Sequence, residues 1–562
     1  MAGGITGDGE GCPVTTAKST RQPASSRQAG RAPASSVAVA PRVSPSVALA
    51  AVSLTAFFVG LSTTMLSVAV PAIVRHFQAG PLAATFVILA PSVTCTALML
   101  SMGRIGDLVG RRNVYLAAIG AFTVASLLAA VAPSVWLLIT LEACQAIGIA
   151  ALWANNAALV LELVPAGRAS QALGVYYASV SAAQLIGPSV GGAIASAAGW
   201  RWIFLMSVPV GIISLLACRA VLPRGTGPER GLPADLPGNI LVLTGVCGLI
   251  VSLSLSQTSG WLSPPVLGGG AAAVVLLAAF AVRELKVQHP LLNLRMFADR
   301  PLTLAMASAC ANAMAQWSPV LLMVLYFQAV SGDSALDAGL KITPLPVVSV
   351  VAAVSAGRLS QRLRPDTLVV VGSGLAFAGI AFLAVTIGGG YPAILVALAL
   401  IGLGSGIFGP ANSRTIMSRG PQLSGGVLNG SRVMLCEVFY LVSTTVVLTI
   451  ITTPLAPGLR RQFYAGTVSR LSHAVALQLL TGYKHAILLL TVLALAGTIA
   501  AIASRTGSSD SRGLIQIRLQ TFGVRGLADR RQICAAPLKG SVPARPSTSC
   551  LSCGSLSGHV TD

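Results

Sequence analysis

Gly103-Arg104-Ile105-Gly106-Asp107-Leu108-Val109-Gly110-Arg111-Arg112 is a charged turn between two long apolar runs, and this context decides the fold. Its glycines allow a tight turn between closely packed helices. Its acid and cations are placed to form an ion-pair latch. The flanking runs, 84–102 and 113–132, lack Asp, Glu, Lys and Arg. Each has the roughly 20 residues that a membrane-crossing helix needs.

The pattern repeats along the chain. Of 562 residues, 54% are hydrophobic and 9% are charged, and mean hydropathy is +0.79. A soluble globular protein carries roughly 25% charged residues. So few charges cannot cover a water-facing surface, which excludes a soluble enzyme, a nucleic-acid-binding protein and a disordered chain. The net charge of +21 is spread thinly between apolar runs. That is a membrane-topology pattern, not a phosphate-binding face.

Only helices satisfy their own backbone in lipid at this segment length. The sequence predicts an all-α polytopic membrane protein with fourteen transmembrane helices. They fall near 47–71, 84–102, 113–132, 135–155, 171–197, 202–221, 238–256, 265–282, 303–327, 340–359, 367–387, 391–413, 428–452 and 484–504. The uncharged stretches 236–282 and 367–413 are each divided by a turn signal, Ser259-Gly260 to Pro264-Pro265 and Gly388-Gly389-Gly390-Tyr391-Pro392. Residues 1–45 and 505–562 read as polar, disordered tails. With the N-terminus inside, sixteen Lys and Arg fall in cytoplasmic loops and seven in external ones, so both tails face the cytoplasm. Six of the ten cysteines lie in or beside apolar runs, where Cys acts as a small hydrophobe. Cys534, Cys550, Cys553 and His559 in the C-terminal tail lack the second pair of a zinc ribbon and are read as coincidence. No nucleotide loop, metal cluster or nucleophile constellation is present, and no cofactor is expected.

The 103–112 turn carries the G-x-x-x-D-x-x-G-R-R spacing of the major facilitator superfamily, which the chain resembles. Gly187-Pro188-Ser189-Val190-Gly191-Gly192 in the fifth span is similar to that superfamily's antiporter motif. Gly199-Trp200-Arg201-Trp202-Ile203-Phe204 and the run from Arg283-Glu284 to His289-Pro290-Leu291-Leu292 resemble its fourteen-helix drug:proton antiporter branch. The resemblance covers roughly 46–504. It implies two six-helix halves, 46–221 and 301–504, with a two-helix insertion within 222–300. Gly357-Arg358-Leu359-Ser360-Gln361-Arg362 repeats the first turn in the second half, with Gln361 in place of the acid. Such halves rock about a midplane site. The resemblance implies that Gly103, Asp107, Gly110, Arg111 and Arg112 latch the halves at the cytoplasmic face.

The departures bear on mechanism. The branch carries an acid in its first span; here the run is Leu61-Ser62-Thr63-Thr64. Where it has a helix-4 arginine, this chain has Glu142 before Gln145. Its helix-13 arginine is matched by Arg432. Of sixteen acids, only Glu142 and Glu437 fall well within a span. A charge there costs at least ~2.5–3.5 kcal/mol on insertion scales, so each needs a reason. One reading is proton coupling, with Glu142 as principal carrier in place of the acid missing at Ser62. The other is a neutral, hydrogen-bonded glutamate. Arg432 and Glu437 lie five positions apart and do not share a helix face. Ser62, Gln145, Asn155, Gln184, Asn312, Gln316, Trp317 and Arg432 are candidates to line a substrate cavity, or to join helices.

The expected function is export of drugs, antibiotics or other small organic molecules from the cell by proton antiport. The expected partners are the substrate, protons and the lipid bilayer, with no nucleic acid. A proton-uncoupled facilitator or uptake carrier is the main alternative, and a non-transporting membrane sensor a more distant one.

Overall fold

The structure, a computed structural model, describes residues 44–79, 81–223, 235–288, 290–292, 294–333, 335–419, 425–453 and 473–521. Among them the helices are α1 (Pro45–His76), α2 (Pro81–Val109), α3 (Arg111–Ala130), α4 (Val135–Leu163), α5 (Ala169–Ala197) and α6 (Arg201–Val221). Then follow α7 (Leu236–Ser259), α8 (Pro264–Lys286), α9 (Arg300–Ala329), the short α10 (Ala335–Ile342), α11 (Pro344–Leu359), α12 (Pro365–Thr386), α13 (Tyr391–Arg419), α14 (Gly425–Thr452) and α15 (His473–Thr521).

Twelve of these segments are long and apolar enough to cross a membrane. The two expected spans outside that set are α2 and α5, each 29 residues long. α5 is rich in Gly, Ser and Ala, which lowers its hydropathy and lets neighbouring backbones approach it. Prolines at the first or second position open α1, α7, α8, α9, α11 and α12, where a missing N–H costs nothing. The expected span 340–359 begins as α10 and restarts at Pro344, because proline cannot continue the hydrogen-bond ladder of the preceding turn. α15 extends well beyond the expected 484–504 at both ends. The C-terminal cysteines and His559 lie outside the described residues.

α1–α6 form one bundle, with α1 on α5 and α6, α4 on α2 and α3, and α3 on α6. α9 and α11–α15 form a second, with α13 on α11 and α12, and α15 on α9 and α12. Two main crossings join the bundles, α2 on α14 and α5 on α11, with smaller contacts of α4 on α14 and of α5 on α13. The sequence repeat aligns α2 with α11. The crossings are therefore one contact made twice, by pseudo-equivalent helices.

α7 and α8 pack mainly on each other, and α7 also reaches α2 and α14. Asp235 caps α7. Its Oδ1 accepts from Gly238 N–H (3.0 Å) and from Arg283 Nε (3.1 Å) and Nη2 (2.8 Å) on α8. Burial opposes its charge, but Arg283 and the Gly238 amide hold the carboxyl below its ordinary range. Its stabilising contribution is therefore complete above about pH 4 and is lost as pH falls through the lower, folded-state value. On α8, Glu284 accepts from Leu292 N–H (2.9 Å) and ties down the segment leading to α9. A Cβ on Gly238 would stand 2.6 Å from Asp235 Oδ2 and 2.8 Å from Glu284 Oε1. Gly238→Ala is expected to destabilise the protein by about 1–3 kcal/mol, the range for overpacking. An unchanged melting temperature in detergent would contradict that packing.

Candidate functional site: a latch and a cavity

The 103–112 segment closes one end of the contact between the bundles. At Gly103 a Cβ would lie 2.3 Å from Gly426 O, so α2 and the start of α14 meet backbone to backbone. The first turn of a helix has unsatisfied N–H groups and a partial positive charge. Asp107 supplies acceptors to that turn, taking Gly426 N–H (3.1 Å) and Val427 N–H (3.0 Å). It also accepts from Arg111 Nε (3.1 Å) and Nη2 (2.7 Å). Arg111 pairs in addition with Glu162 at the end of α4. Arg112 donates to the carbonyls of Leu222 (3.0 Å) and Arg219 (2.9 Å) at the end of α6. Gly110, with φ +97°, makes the sharp turn between α2 and α3 that puts these side chains on one face. One segment thus ties α2, α3, α4 and α6 to α14.

The second copy keeps the close approach without the acid. A Cβ on Gly357 would lie 2.9 Å from Gln171 Cα, and one on Gly174 2.6 Å from Ala353 O.

Farther along α2 and α14 a cavity of about 300 Å³ opens, walled by α1, α2, α4, α6 and α14. Leu66, Val70, Val87, Ile149, Trp153, Ile203, Phe204 and Leu441 make it largely apolar. Ser62, Thr63, Ser92, Thr96, Gln145 and Tyr440 add polar groups, and Glu437 is the one charged residue among the described lining residues. Glu437 is the thirteenth of the 28 residues of α14, close to its midpoint. Ser62 Oγ lies 3.3 Å from Ser207 Oγ, linking α1 and α6 at the rim of this space.

Glu142 is completely buried and does not line this cavity. Neither of its carboxyl oxygens has a hydrogen-bond partner among the described residues. It is the eighth of 29 residues in α4, midway between the helix start and its middle.

Of the remaining candidates, Asn155, Asn312, Gln316 and Arg432 spend their polar groups on packing contacts. Asn155 donates to Met102 O (3.1 Å) and Ala151 O (2.9 Å), fastening α4 to α2. Asn312 donates to Ser308 O (2.9 Å) and Ser373 Oγ (3.1 Å) and accepts from Gln316 Nε2 (2.6 Å), a network inside the second bundle. Arg432 donates to Tyr177 OH (2.9 Å) and Asn429 Oδ1 (3.2 Å), joining α14 to α5. Gln184 is exposed on α5 and is absent from the cavity wall. The Trp317 side chain lies outside the described ones. Within 187–192, Pro188 sits inside α5, and the glycines bring α5 onto α1: Cβ atoms at Gly187 and Gly191 would lie 1.8 Å from Thr64 Oγ1 and 2.8 Å from Met65 Cα. Gly192 follows on the same helix, half-buried. Sequence reasoning missed Thr63, Thr96 and Tyr440 as wall residues. Small hydroxyls inside apolar spans are common, and their facing is set by tertiary packing.

Comparison with known proteins agrees with this architecture. The chain is 26% identical over 418 residues to the multidrug resistance protein Stp of Mycobacterium tuberculosis (strain H37Rv), covering 74% of this chain and 78% of that one. It is 28% identical over 378 residues to the methylenomycin A resistance protein of Streptomyces coelicolor, covering 66% and 79%. In fold, it is similar to the crystal structure of the human organic anion transporter MFSD10 (TETRAN), with a TM-score of 0.55 at 14% identity over 80% of this chain and 99% of that one. The family model of the Major Facilitator Superfamily matches residues 52–438, and the chain belongs to that superfamily: it is a multi-pass membrane transporter and not an enzyme.

Proposed function

We propose that this protein exports cationic, amphipathic organic molecules across the cell membrane in exchange for protons, with Glu437 as the residue that binds either one. The observation that carries the reading is the lone carboxyl at mid-helix on a wall that is otherwise apolar, with hydroxyls and the Gln145 amide as its polar groups. An apolar pocket with few polar groups takes the body of an organic molecule, and a carboxylate takes a cationic head. Names of relatives, a multidrug resistance protein and an antibiotic resistance protein, agree with export. The charge bias of the loops supports a topology with both tails and the latch at the cytoplasmic face. The closed latch then corresponds to a protein sealed towards the cytoplasm.

Since one carboxyl takes one proton or one monovalent cation, the exchange is electroneutral. The membrane potential does no net work, and each pH unit supports about a tenfold gradient of substrate. Glu142, without a place on the cavity wall, is the alternative coupling residue. Ser62, where the branch carries an acid, favours an uncoupled carrier as second reading. Expression in a pump-deficient bacterium is the test: accumulation of lipophilic cations should fall, and collapsing the pH gradient should restore it. Accumulation that does not fall, and that follows the membrane potential, would favour the uncoupled carrier, which can only move the cation down its electrochemical gradient.

A further inference from the structure

We propose that Gln145 is a fixed hydrogen-bond acceptor on the cavity wall, locked in that orientation by Ser126, and that it makes the site prefer protonated amines bearing an N–H over quaternary ammonium ions. The inference rests on the reading of the cavity as a site for organic cations.

Gln145 is 5% exposed and lines the cavity; Ser126, on α3, is fully buried. Ser126 Oγ donates its single proton to Phe122 O at 2.7 Å, the i−4 carbonyl of its own helix. The hydroxyl then has only lone pairs to offer. Gln145 Nε2 lies 2.6 Å from that oxygen and donates to it. In the reverse orientation Ser126 would have to turn its proton to Gln145 Oε1 and give up the Phe122 carbonyl, so the bond along α3 favours the orientation with Nε2 towards Ser126. With Nε2 committed to Ser126, Oε1 is left without a protein donor among the described residues. It shares the cavity with Glu437. The wall therefore presents a neutral carbonyl and a carboxyl, both acceptors when the carboxyl is ionised. A protonated amine carries both the charge for Glu437 and an N–H for the carbonyl. A quaternary ammonium carries the charge alone, and leaves a desolvated carbonyl oxygen unpaired.

The pair N,N-dimethylphenethylammonium and N,N,N-trimethylphenethylammonium differs at that one N–H. Binding of each, radiolabelled, to purified full-length protein at one mildly alkaline pH gives a ratio that is internal to every variant. The wild type should bind the tertiary ion about tenfold more tightly, the discrimination expected of one charge-assisted hydrogen bond. Gln145→Leu and Gln145→Met should bring the ratio to near one by weakening the tertiary ion alone. Ser126→Ala, which frees the amide to turn, should shrink the ratio, and Ser126→Thr should restore it. A purely structural role would weaken both ions together and leave the ratio unchanged. Equal binding by the wild type overturns the inference and leaves the cationic cavity standing, as does a ratio that survives in Gln145→Leu. Failure of the wild type to bind either ion overturns the cavity reading and this inference with it.

Discussion

Glu437→Gln is expected to abolish pH-gradient-driven uptake of a lipophilic cation into proteoliposomes, reducing it to the rate in protein-free liposomes. The substitution keeps the size of the side chain and its place on the wall and removes its capacity to carry a proton. Without the carboxylate the cavity also loses the group that faces a cationic head, so binding of the cation should weaken by about tenfold or more, the usual cost of a hydrogen bond to a charged group. Glu142→Gln is expected to retain most gradient-driven uptake. Glu142 is fully buried, has no hydrogen-bond partner among the described residues, and lies off the wall that Glu437 and Gln145 share. The opposite pair of results, activity surviving in Glu437→Gln and vanishing in Glu142→Gln, would move proton coupling to α4.

Gly103→Val and Asp107→Asn should slow turnover while leaving substrate binding nearly intact. The two act by different physics. A Cβ at Gly103 meets a backbone carbonyl of α14 at 2.3 Å, and backbone cannot swing away as a side-chain tip can. The latched state is then sterically forbidden, and transport should fall to a few per cent or less of the wild type, reasoning from overpacking costs of about 1–3 kcal/mol at more yielding contacts. Asp107→Asn keeps the shape but discards the charge that faces two helix N-terminal amides and Arg111. Loss of charge-assisted bonds of about 1.5–3 kcal/mol would shift the balance between conformations by about tenfold or more. Initial rates of exchange report turnover, and equilibrium binding to detergent-solubilised protein reports the site. A Gly103→Val variant with normal turnover would remove the latch from the transport cycle.

Helix positions were legible because the lipid environment leaves a chain few choices: uncharged runs near 20 residues become helices, and prolines and glycine clusters divide them. The ion-pair turn at 103–112 was legible for a related reason. Asp107, Gly110, Arg111 and Arg112 are close in sequence, so their spacing already places them on one turn, while the partner they close upon, the α14 amide groups of Gly426 and Val427, leaves no mark in the sequence. The cavity was harder to read. Gln145 and Asn155 are both buried amides on α4, yet Gln145 lines the cavity and Asn155 is spent on Met102 O and Ala151 O. Asn312 and Gln316 have the same composition signal and bond to each other. What separates a wall residue from interhelical glue is which neighbour each helix face meets, and that is settled by packing between spans far apart in sequence. The two membrane glutamates show the same limit: sequence marks both as costly, and only the fold puts Glu437 on the cavity and Glu142 away from it.

The most direct test is the proton flux that accompanies downhill substrate entry. Liposomes holding the purified protein and an internal pH dye begin with equal pH on both sides, and a lipophilic amine cation is added outside. With Glu437→Gln liposomes as the baseline, the account predicts that the lumen becomes alkaline as the cation enters, one proton leaving for each cation. It further predicts that setting the membrane potential with potassium and valinomycin leaves the rate unchanged. Entry of the cation with no change in lumen pH beyond that baseline, at a rate that follows the imposed potential, would show an uncoupled carrier and contradict proton exchange at Glu437.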